Sequence, residues 1–395
     1  MKKKLKDVCD FYSGTGFPTQ YQGEIEGDYP FYKVGDIANN ATTGKVYLEL
    51  CNNYISKDIA KTIKGCILPK DTVVFAKIGE ALKLNRRAIT SCECLIDNNA
   101  MGIAPKINQL RIQYFFFFMK NLKMQSLAES TTVPSVRKTK LENYEIEVPS
   151  MEAQEEIEKK LALILDIIEK RKQELVGLDS LIKSRFVEMF GDPIQNPKGW
   201  DTSLVENVVA NEKNALKAGP FGSALKKEYY VESGYKIYGQ EQVISGDHTI
   251  GNYYIDEERY KALENCAVQA GDVLISLVGT YGKLLIIPDE FEPGIINPRL
   301  MKITFDKNKV NPLYFKFFFQ SESLKRALSE NTHGGTMDIL NLGIVRKISM
   351  PLPPLKLQNK FVAFVEQVDK SKVAVQKALD ETQLLFDSLM QKYFG

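Results

Sequence analysis

Apolar residues recur at alternating steps of four and three along two stretches of the chain, residues 157–189 and 361–393. Eight of the ten stepped positions are apolar in each stretch, and the two patterns keep the same register 204 residues apart. One such pattern alone usually marks the core-facing side of an amphipathic helix, but two in one register favour the seam of a coiled coil. The predicted seam consists of Ile157, Leu161, Ile164, Ile168, Leu175, Leu178, Ile182, Phe361, Val365, Val368, Val375, Leu379, Phe386 and Leu389.

The two heptad patterns belong to a repeat of the whole chain, with an offset of about 200 residues. Each half has a glycine-rich turn, two segments typical of strands, and an aromatic segment ahead of its long helix. In chain order the matching segments are 13–18 and 218–223, 29–37 and 235–243, 72–79 and 272–279, and 114–118 and 314–319. Asn311 and Pro312 form a helix start for the second aromatic segment. Both aromatic segments are therefore expected to pack into a core rather than to stack on bases.

The order of head, long helix, head and long helix predicts a mixed α/β fold with a pseudo-two-fold repeat. The predicted domains are a first head at 1–150, its helix at 151–191, a second head at 192–353 and its helix at 354–395. The second helix can bury its seam against the first only by running back along it, antiparallel. We therefore expect the heads at opposite ends of a spacer, an arrangement that suits a DNA site made of two different half-sites.

Composition narrows the class of protein without identifying it. The 395 residues are 44% hydrophobic and 26% charged, which is typical of a globular protein of more than one domain. The formal net charge is only +2, so a DNA-binding surface would have to be local. The basic residues 1–6 precede no apolar stretch, which argues against a signal peptide or membrane span and favours a cytoplasmic protein. The six cysteines form no CxxC pair or regular framework, so we expect neither zinc sites nor disulfides.

Sequence motifs for catalysis are incomplete. Residues 11–16 are similar to the cofactor loop of an amino-methyltransferase, but the companion Asn/Asp-Pro-Pro-aromatic motif is absent. Residues 279–283 lack the spacing of a phosphate-binding loop. His248 and His333 are the only histidines, which leaves few candidates for a triad or a metal centre. We therefore expect no catalytic, cofactor-binding or metal-binding residues in this chain.

Three motifs, together with the repeat, resemble the specificity subunits of type I restriction-modification enzymes. They are the Gly-Pro-Phe-Gly-Ser turn at 219–223, the Pro-Lys-Gly-Trp segment at 197–200, and the Pro-Leu-Pro-Pro segment at 351–354 with Gln358. The resemblance extends over essentially the whole chain, although the first half departs from it at its glycine turn and at 149–150. It implies a non-catalytic chain whose two target recognition domains each read one half of an asymmetric site in double-stranded DNA.

The same resemblance implies the partners of the chain. Two modification subunits would methylate adenine at N6, and restriction subunits with translocase activity would join through them. S-adenosylmethionine, ATP and Mg would then be bound by those partners and not by this chain. Two alternatives come from other classes: a two-headed scaffold on a coiled-coil rod that binds no DNA, and a stand-alone enzyme. Salt-dependent DNA binding would argue against the scaffold, and turnover by the purified chain would favour the enzyme.

DNA contacts are expected from polar and basic side chains on loops, because these can reach groove edges and phosphates. A single surface lysine is usually only solvated, so the prediction concerns groups of residues. In the first head the candidates are Lys77, Lys83, Asn85, Arg86, Arg87, Thr131, Thr132, Ser135, Arg137 and Lys138. In the second head they are Lys217, Ser223, Lys226, Lys227, Tyr281, Lys283, Asn331, Thr332, His333 and Thr336.

Overall fold

The chain folds into two compact units that share both long helices. A computed structural model describes residues 1–49, 51–129, 133–221, 224–278, 282–330 and 340–395. Unit 1 comprises residues 1–172 and 377–395, and unit 2 comprises residues 173–376. This division runs through both long helices, whereas the predicted domains ended where each long helix began.

Unit 1 alternates short strands with short helices before its long helix begins. Its strands are β1 Lys2–Lys4, β2 Cys9–Ser13, β3 Tyr29–Tyr32, β4 Tyr54–Ile55, β5 Val73–Ala76, β6 Arg87–Ile89, β7 Leu95–Ile96, β8 Ala100–Pro105 and β9 Glu145–Glu147. Its helices are α1 Leu5–Val8, α2 Val34–Thr42, α3 Lys57–Thr62, α4 Glu80–Lys83, α5 Ile112–Asn121, α6 Met124–Leu127, α7 Lys138–Glu142 and the start of α8 Met151–Phe190. The main sheet has the antiparallel order β2-β8-β5-β6, beside a smaller sheet β4-β3-β7 and the pair β1-β9.

Unit 2 repeats this arrangement. Its strands are β10 Thr202–Leu204, β11 Leu216–Ala218, β12 Tyr235–Tyr238, β13 Tyr254–Ile255, β14 Val273–Ser276, β15 Leu284–Ile286, β16 Gly294–Ile296, β17 Leu300–Ile303 and β18 Ser349–Pro351. Its helices are α9 Gln240–Ser245, α10 Glu257–Ala262, α11 Pro312–Phe319, α12 Glu322–Glu330, α13 Leu342–Arg346 and the start of α14 Leu355–Phe394. The sheets are β11-β17-β14-β15, β13-β12-β16 and β10-β18. The mixed α/β repeat predicted from the sequence is confirmed.

Each glycine-rich turn contains one position that tolerates only glycine. A Cβ atom on Gly14 would lie 1.7 Å from the carbonyl oxygen of Asp97, and one on Gly219 would lie 1.9 Å from that of Asn297. Both distances are far below any van der Waals contact, so a side chain would push the backbones apart. The shared requirement explains why the glycine recurs in both halves although the surrounding turn sequences differ.

The first predicted strand pair is shorter than the sequence indicated. Strand character was expected over 29–37 and 235–243, but β3 and β12 end at Tyr32 and Tyr238, and helices follow. Side chains cap these helices, because the N–H of Lys33 donates to Asp36 and that of Gly239 donates to Gln242, at 2.7 and 2.8 Å. Local capping thus outweighed the alternation of β-branched and aromatic residues.

The aromatic segments form α5 and α11, as predicted, and pack into the cores. Tyr114 and Tyr314 are almost fully buried, and their hydroxyls donate to the carbonyl oxygens of Glu147 and Pro351. In unit 1, Phe117 of α5 packs among apolar side chains of both long helices. These helices thereby become part of the core beneath each head, and the aromatic residues are unavailable for stacking on bases.

The two long helices pack on each other antiparallel within each unit. In unit 1, α8 residues near Leu161 meet α14 residues near Phe386, and in unit 2 α8 residues near Ile182 meet α14 residues near Phe361. The structure leaves all fourteen predicted seam residues buried or half-buried. Polar residues in the same register also find partners across the seam. Arg171 donates to Thr382 in unit 1, and the Lys372 ammonium lies 2.7 Å from the Asp179 carboxylate in unit 2.

Candidate nucleic-acid interface

In unit 1, two of the loops singled out in the sequence lie side by side. The chain leaving β5 is hydrogen-bonded to the segment ahead of α7, because the N–H of Val136 donates to the carbonyl of Lys77 at 2.9 Å. On its other side, the N–H of Lys77 donates to the carbonyl of Asn99 at 2.9 Å. Three segments distant in sequence thus form one edge of the head. We call it loop cluster 1, which comprises residues 77–79, 97–99 and 133–137.

Unit 2 builds the same edge with the same backbone bonds. The N–H of Leu277 donates to the carbonyl of Arg299 at 2.9 Å, and the N–H of Leu340 donates to the carbonyl of Leu277 at 3.0 Å. Gln240 at the start of α9 joins this edge, since its amide donates to the Ser276 hydroxyl at 2.8 Å. Loop cluster 2 comprises Gln240, residues 276–278, residues 297–299 and Leu340.

Several predicted residues of the first head lie in or next to loop cluster 1. Lys77 and Ser135 are half-buried within it. Arg137 is exposed and its guanidinium lies 3.0 Å from the Glu129 carboxylate, while Lys138 begins α7 and lies 3.6 Å from Glu142. Exposed ion pairs of this kind contribute little to stability, so Arg137 and Lys138 can exchange their carboxylate partners for phosphates at small cost.

The basic loop that follows α4 is only partly available to a ligand. Lys83 is exposed and its ammonium lies 2.6 Å from Glu80, and Arg86 is half-buried. Asn85 adopts a left-handed backbone, with φ of 52°, and its amide donates to the carbonyl of Lys120 at 3.1 Å. The side chain of Asn85 therefore holds the loop in place, and its predicted contact with DNA stays a prediction.

Arg87 is buried at the start of β6, which corrects its predicted placement in an exposed basic loop. It is only 4% exposed, on β6, and its guanidinium donates to Asn85 Oδ1 at 2.7 Å and to the carbonyl of Leu122 at 3.1 Å. Its guanidinium also lies 5.2 Å from the ring centre of Phe75. Burial lowers the pKa of Arg87, because the charged form loses hydration. The residue fastens the sheet to the segment after α5.

The predicted residues of the second head divide in the same way. Lys226, Lys227 and Lys283 are exposed. Lys217, by contrast, is half-buried on the edge strand β11, directly opposite Lys302 of β17. This corrects its assignment to a loop. The remaining candidates lie outside the described residues; they are Thr131, Thr132, Ser223, Tyr281, Asn331, Thr332, His333 and Thr336.

The turns that complete both loop clusters were not among the residues predicted to contact DNA. Asn98 and Asn99 are exposed at one turn, and Pro298 and Arg299 are exposed at the other. A signal was present in the sequence, because a polar turn recurs at equivalent places of the repeat, between β7 and β8 and between β16 and β17.

Loop cluster 2 borders a concavity of about 740 Å³. Its walls combine two tyrosine rings and one carboxylate with basic and amide side chains; the polar and aromatic lining is Lys227, Tyr230, Gln240, Glu241, Tyr253, Asn297 and Arg299. Cationic and amide side chains that converge on a concave edge are typical of groups that contact phosphates and base edges. The edge is therefore the best candidate for a nucleic-acid interface in unit 2.

The described residues carry no sign of a metal or redox centre. Within them, no group of three or more His, Cys, Asp or Glu side chains is placed to hold a metal ion. All six cysteines are free, and burial raises the pKa of the Cys9 and Cys94 thiols, which keeps them protonated. No helix among the same residues is both long and apolar enough to cross a membrane.

Comparison with protein families places both units in one group. The family model for the type I restriction modification DNA specificity domain matches residues 1–176 and 212–382. The specificity subunit of the type I restriction enzyme MjaVIII from Methanocaldococcus jannaschii is 22% identical over 403 residues, which cover 95% of this chain and 89% of that protein. The EcoBI specificity subunit of Escherichia coli is 20% identical over 424 residues, covering 100% and 85%.

Solved structures show the same fold at lower identity. A chain from a study of complex assembly and conformational transition of the type I R-M system is 17% identical, with a TM-score of 0.66 and coverage of 100% and 97%. The S subunit of the type I restriction-modification system from M. genitalium is 14% identical, with a TM-score of 0.51 and coverage of 100% and 96%. The likeness therefore extends over the whole length of the chain.

Proposed function

The chain belongs to the family of type I restriction-modification DNA specificity proteins, and from this premise we propose that its two units read the two halves of one bipartite site. In this family the chain is the non-catalytic part that recognises DNA sequence. One observation carries the proposal for two half-sites: loop clusters 1 and 2 share their backbone hydrogen bonds but differ in the side chains that they expose. A common scaffold with different exposed groups is suited to recognise two different sequences.

The long helices support a second part of the proposal. Each is a continuous helix of 40 residues, and each contributes seam residues to both units. A coiled coil is stiff along its axis, so paired helices can hold a constant number of unread base pairs between two half-sites. We propose this spacer role for α8 and α14 together with the docking of two modification subunits.

The chemistry that follows recognition belongs to the partners in this proposal. The modification subunits would bind S-adenosylmethionine and methylate adenine at N6, and restriction subunits would use ATP and Mg. The cytoplasm is the expected location, because host DNA and these partners meet there. This chain contributes the positioning of DNA, through cationic and amide side chains of both loop clusters.

Mapping of adenine methylation in the host genome tests the proposal. Cells with the gene should carry methylated adenines in one interrupted, asymmetric motif, and cells without it should lose methylation at that motif alone. Purified chain with its modification subunits should bind duplexes of this motif with an affinity that falls steeply with salt. An unchanged methylation map, or binding that is indifferent to salt, would favour the scaffold alternative instead.

A further inference from the structure

The turns before β8 and β17 have the same backbone scaffold but different exposed side chains. The N–H of Asn99 donates to Asp97 Oδ1 at 2.6 Å, and the N–H of Arg299 donates to Asn297 Oδ1 at 2.9 Å. The carbonyl oxygens of residues 99 and 299 both accept the N–H of the adjacent strand end at 2.9 Å. Since both backbone groups of each residue are held, its side chain starts from a rigid base.

Arg299 is oriented by a hydrogen bond to a neutral amide and not by an ion pair. Its Nη1 lies 3.4 Å from Gln240 Oε1, and Gln240 is itself anchored, since its amide donates to Ser276 Oγ at 2.8 Å. Within the described part of the chain, the guanidinium forms no ion pair with a carboxylate. A guanidinium carries five N–H donors, so most of them remain available at the mouth of the concavity of loop cluster 2.

We propose that Arg299 is a specificity-determining residue that recognises a guanine in the half-site read by unit 2. An arginine held by a rigid turn can donate two parallel hydrogen bonds to O6 and N7 of guanine in the major groove. Asn99, at the equivalent position of unit 1, offers the amide geometry that pairs with N6 and N7 of adenine. The inference rests on the proposed function, and it explains how one scaffold reads different bases in the two half-sites.

The test exchanges these two side chains in the full chain, expressed with its modification subunits. The variants are Arg299→Asn, Asn99→Arg and Arg299→Lys, and the last keeps the charge but lacks the bidentate fork. Lys261→Ala is the matched control, because Lys261 is an exposed cation on α10 that pairs with Glu257. Binding is measured to duplexes that carry the wild-type site, mapped from genomic methylation, and to each of its single base-pair substitutions.

Wild-type protein should discriminate against substitution of one G·C pair by roughly 5- to 150-fold, and Arg299→Asn and Arg299→Lys should lose that discrimination at this pair only. Asn99→Arg should change preference at one pair of the other half-site, and Lys261→Ala should change neither. The inference is overturned if every variant keeps the wild-type preferences, or if the Arg299 variants weaken binding to all duplexes by one factor, as a phosphate contact would. If wild-type protein shows no preferred site at all, the proposed function itself fails.

Discussion

The side-chain oxygen of Gln154 accepts the backbone N–H of Arg111 at 2.9 Å, while its amide nitrogen donates to two backbone carbonyls. Gln358 makes the same three hydrogen bonds in unit 2, where it accepts the N–H of Asn311 at 2.9 Å. Both glutamine side chains are fully buried. A single residue thus ties the first turn of each long helix to the start of the aromatic helix in its head.

Replacement of Gln154 should destabilise unit 1. The Gln154→Ala variant leaves a backbone N–H and two carbonyls at this partly buried site without their partner, which costs roughly 1–3 kcal/mol for an unsatisfied group. Chemical unfolding should show the loss, and hydrogen exchange at the Arg111 amide should accelerate. Gln383→Ala, an exposed glutamine on α14, is the control and should leave both measurements unchanged. Equal behaviour of the two variants would contradict the tethering role.

The buried ion pair of unit 2 should depend on both of its partners. Asp272 is fully buried, and its carboxylate accepts the ammonium of Lys302 at 3.0 Å and the hydroxyl of Thr304. Unit 1 has the uncharged Thr72 and Gly102 at the equivalent positions, so the fold does not require the pair. Removing one charge leaves the other buried without compensation, at a cost of about 3–5 kcal/mol.

Single and double variants separate the cost of one unpaired buried charge from the net contribution of the ion pair to stability. Asp272→Ala alone should lower the free energy of unfolding by that amount, and Asp272→Ala combined with Lys302→Met should recover more than half of the loss. The readout is chemical unfolding followed by a probe in unit 2. If the double variant is as unstable as the sum of the single ones, the two charges are not coupled.

Stability of unit 2 should fall at acid pH through Glu292. The buried ammonium of Lys236 lies 2.6 Å from the Glu292 carboxylate, and this hydrogen bond lowers the pKa of Glu292 from its usual value of 4.5. The folded state thus holds its proton less tightly than the unfolded state. The stability that ionised Glu292 contributes is fully present above the pKa of glutamate in the unfolded state, and it is lost as pH falls through the lower pKa of the folded state.

Unfolding between about pH 6 and about pH 2 measures this dependence. Glu292→Gln should flatten the plot of unfolding free energy against pH below the ordinary pKa of glutamate. The variant Glu290→Gln, at an exposed neighbour, should keep the wild-type slope. A wild-type slope in Glu292→Gln would show that other carboxylates account for the acid sensitivity.

Arg137 and Arg87 should respond differently to truncation. Arg137→Ala removes an exposed cation of loop cluster 1, so affinity should fall for all DNA sequences alike. The salt slope, which is the steepness with which log affinity falls against log salt concentration, should decrease by about 1. Arg87→Ala removes a buried guanidinium and should lower the stability of unit 1 without changing the salt slope of the folded protein. Binding titrations at several salt concentrations, paired with melting curves, separate the two. A smaller salt slope in Arg87→Ala would show that Arg87 contacts DNA.

Lengthening both long helices should lengthen the recognised site. One heptad inserted into α8 and one into α14 keeps the seam register and adds about 10 Å of helix, which corresponds to about three base pairs. Methylation mapping should then find the same half-sites with a longer unread spacer. An insertion in one helix alone is the control and should abolish methylation, because the seams no longer match. The same spacer in the doubly lengthened protein would exclude the helices as its determinant.

The sequence by itself determined the repeat, the α/β class and the two long helices. Heptad periodicity is a local property, since each apolar position selects its face of the helix from its neighbours three and four residues away. The same holds for the aromatic helices, where Asn311 and Pro312 mark a start that the structure retains. The strand ends were harder, because capping by Asp36 and Gln242 competed with an alternating pattern of apolar residues.

Only the tertiary structure decided which polar side chains face outward. Arg87 and Arg137 look alike as loop residues, but β6 pairs with β5 and draws Arg87 inside. Arg299 became a candidate because its carbonyl accepts the N–H of Leu277, 22 positions earlier in the chain, while the carbonyl of Leu277 accepts the N–H of Leu340. Contacts between segments so far apart depend on which strands pair in the sheet, and residue types along the chain carry no local signal of that pairing.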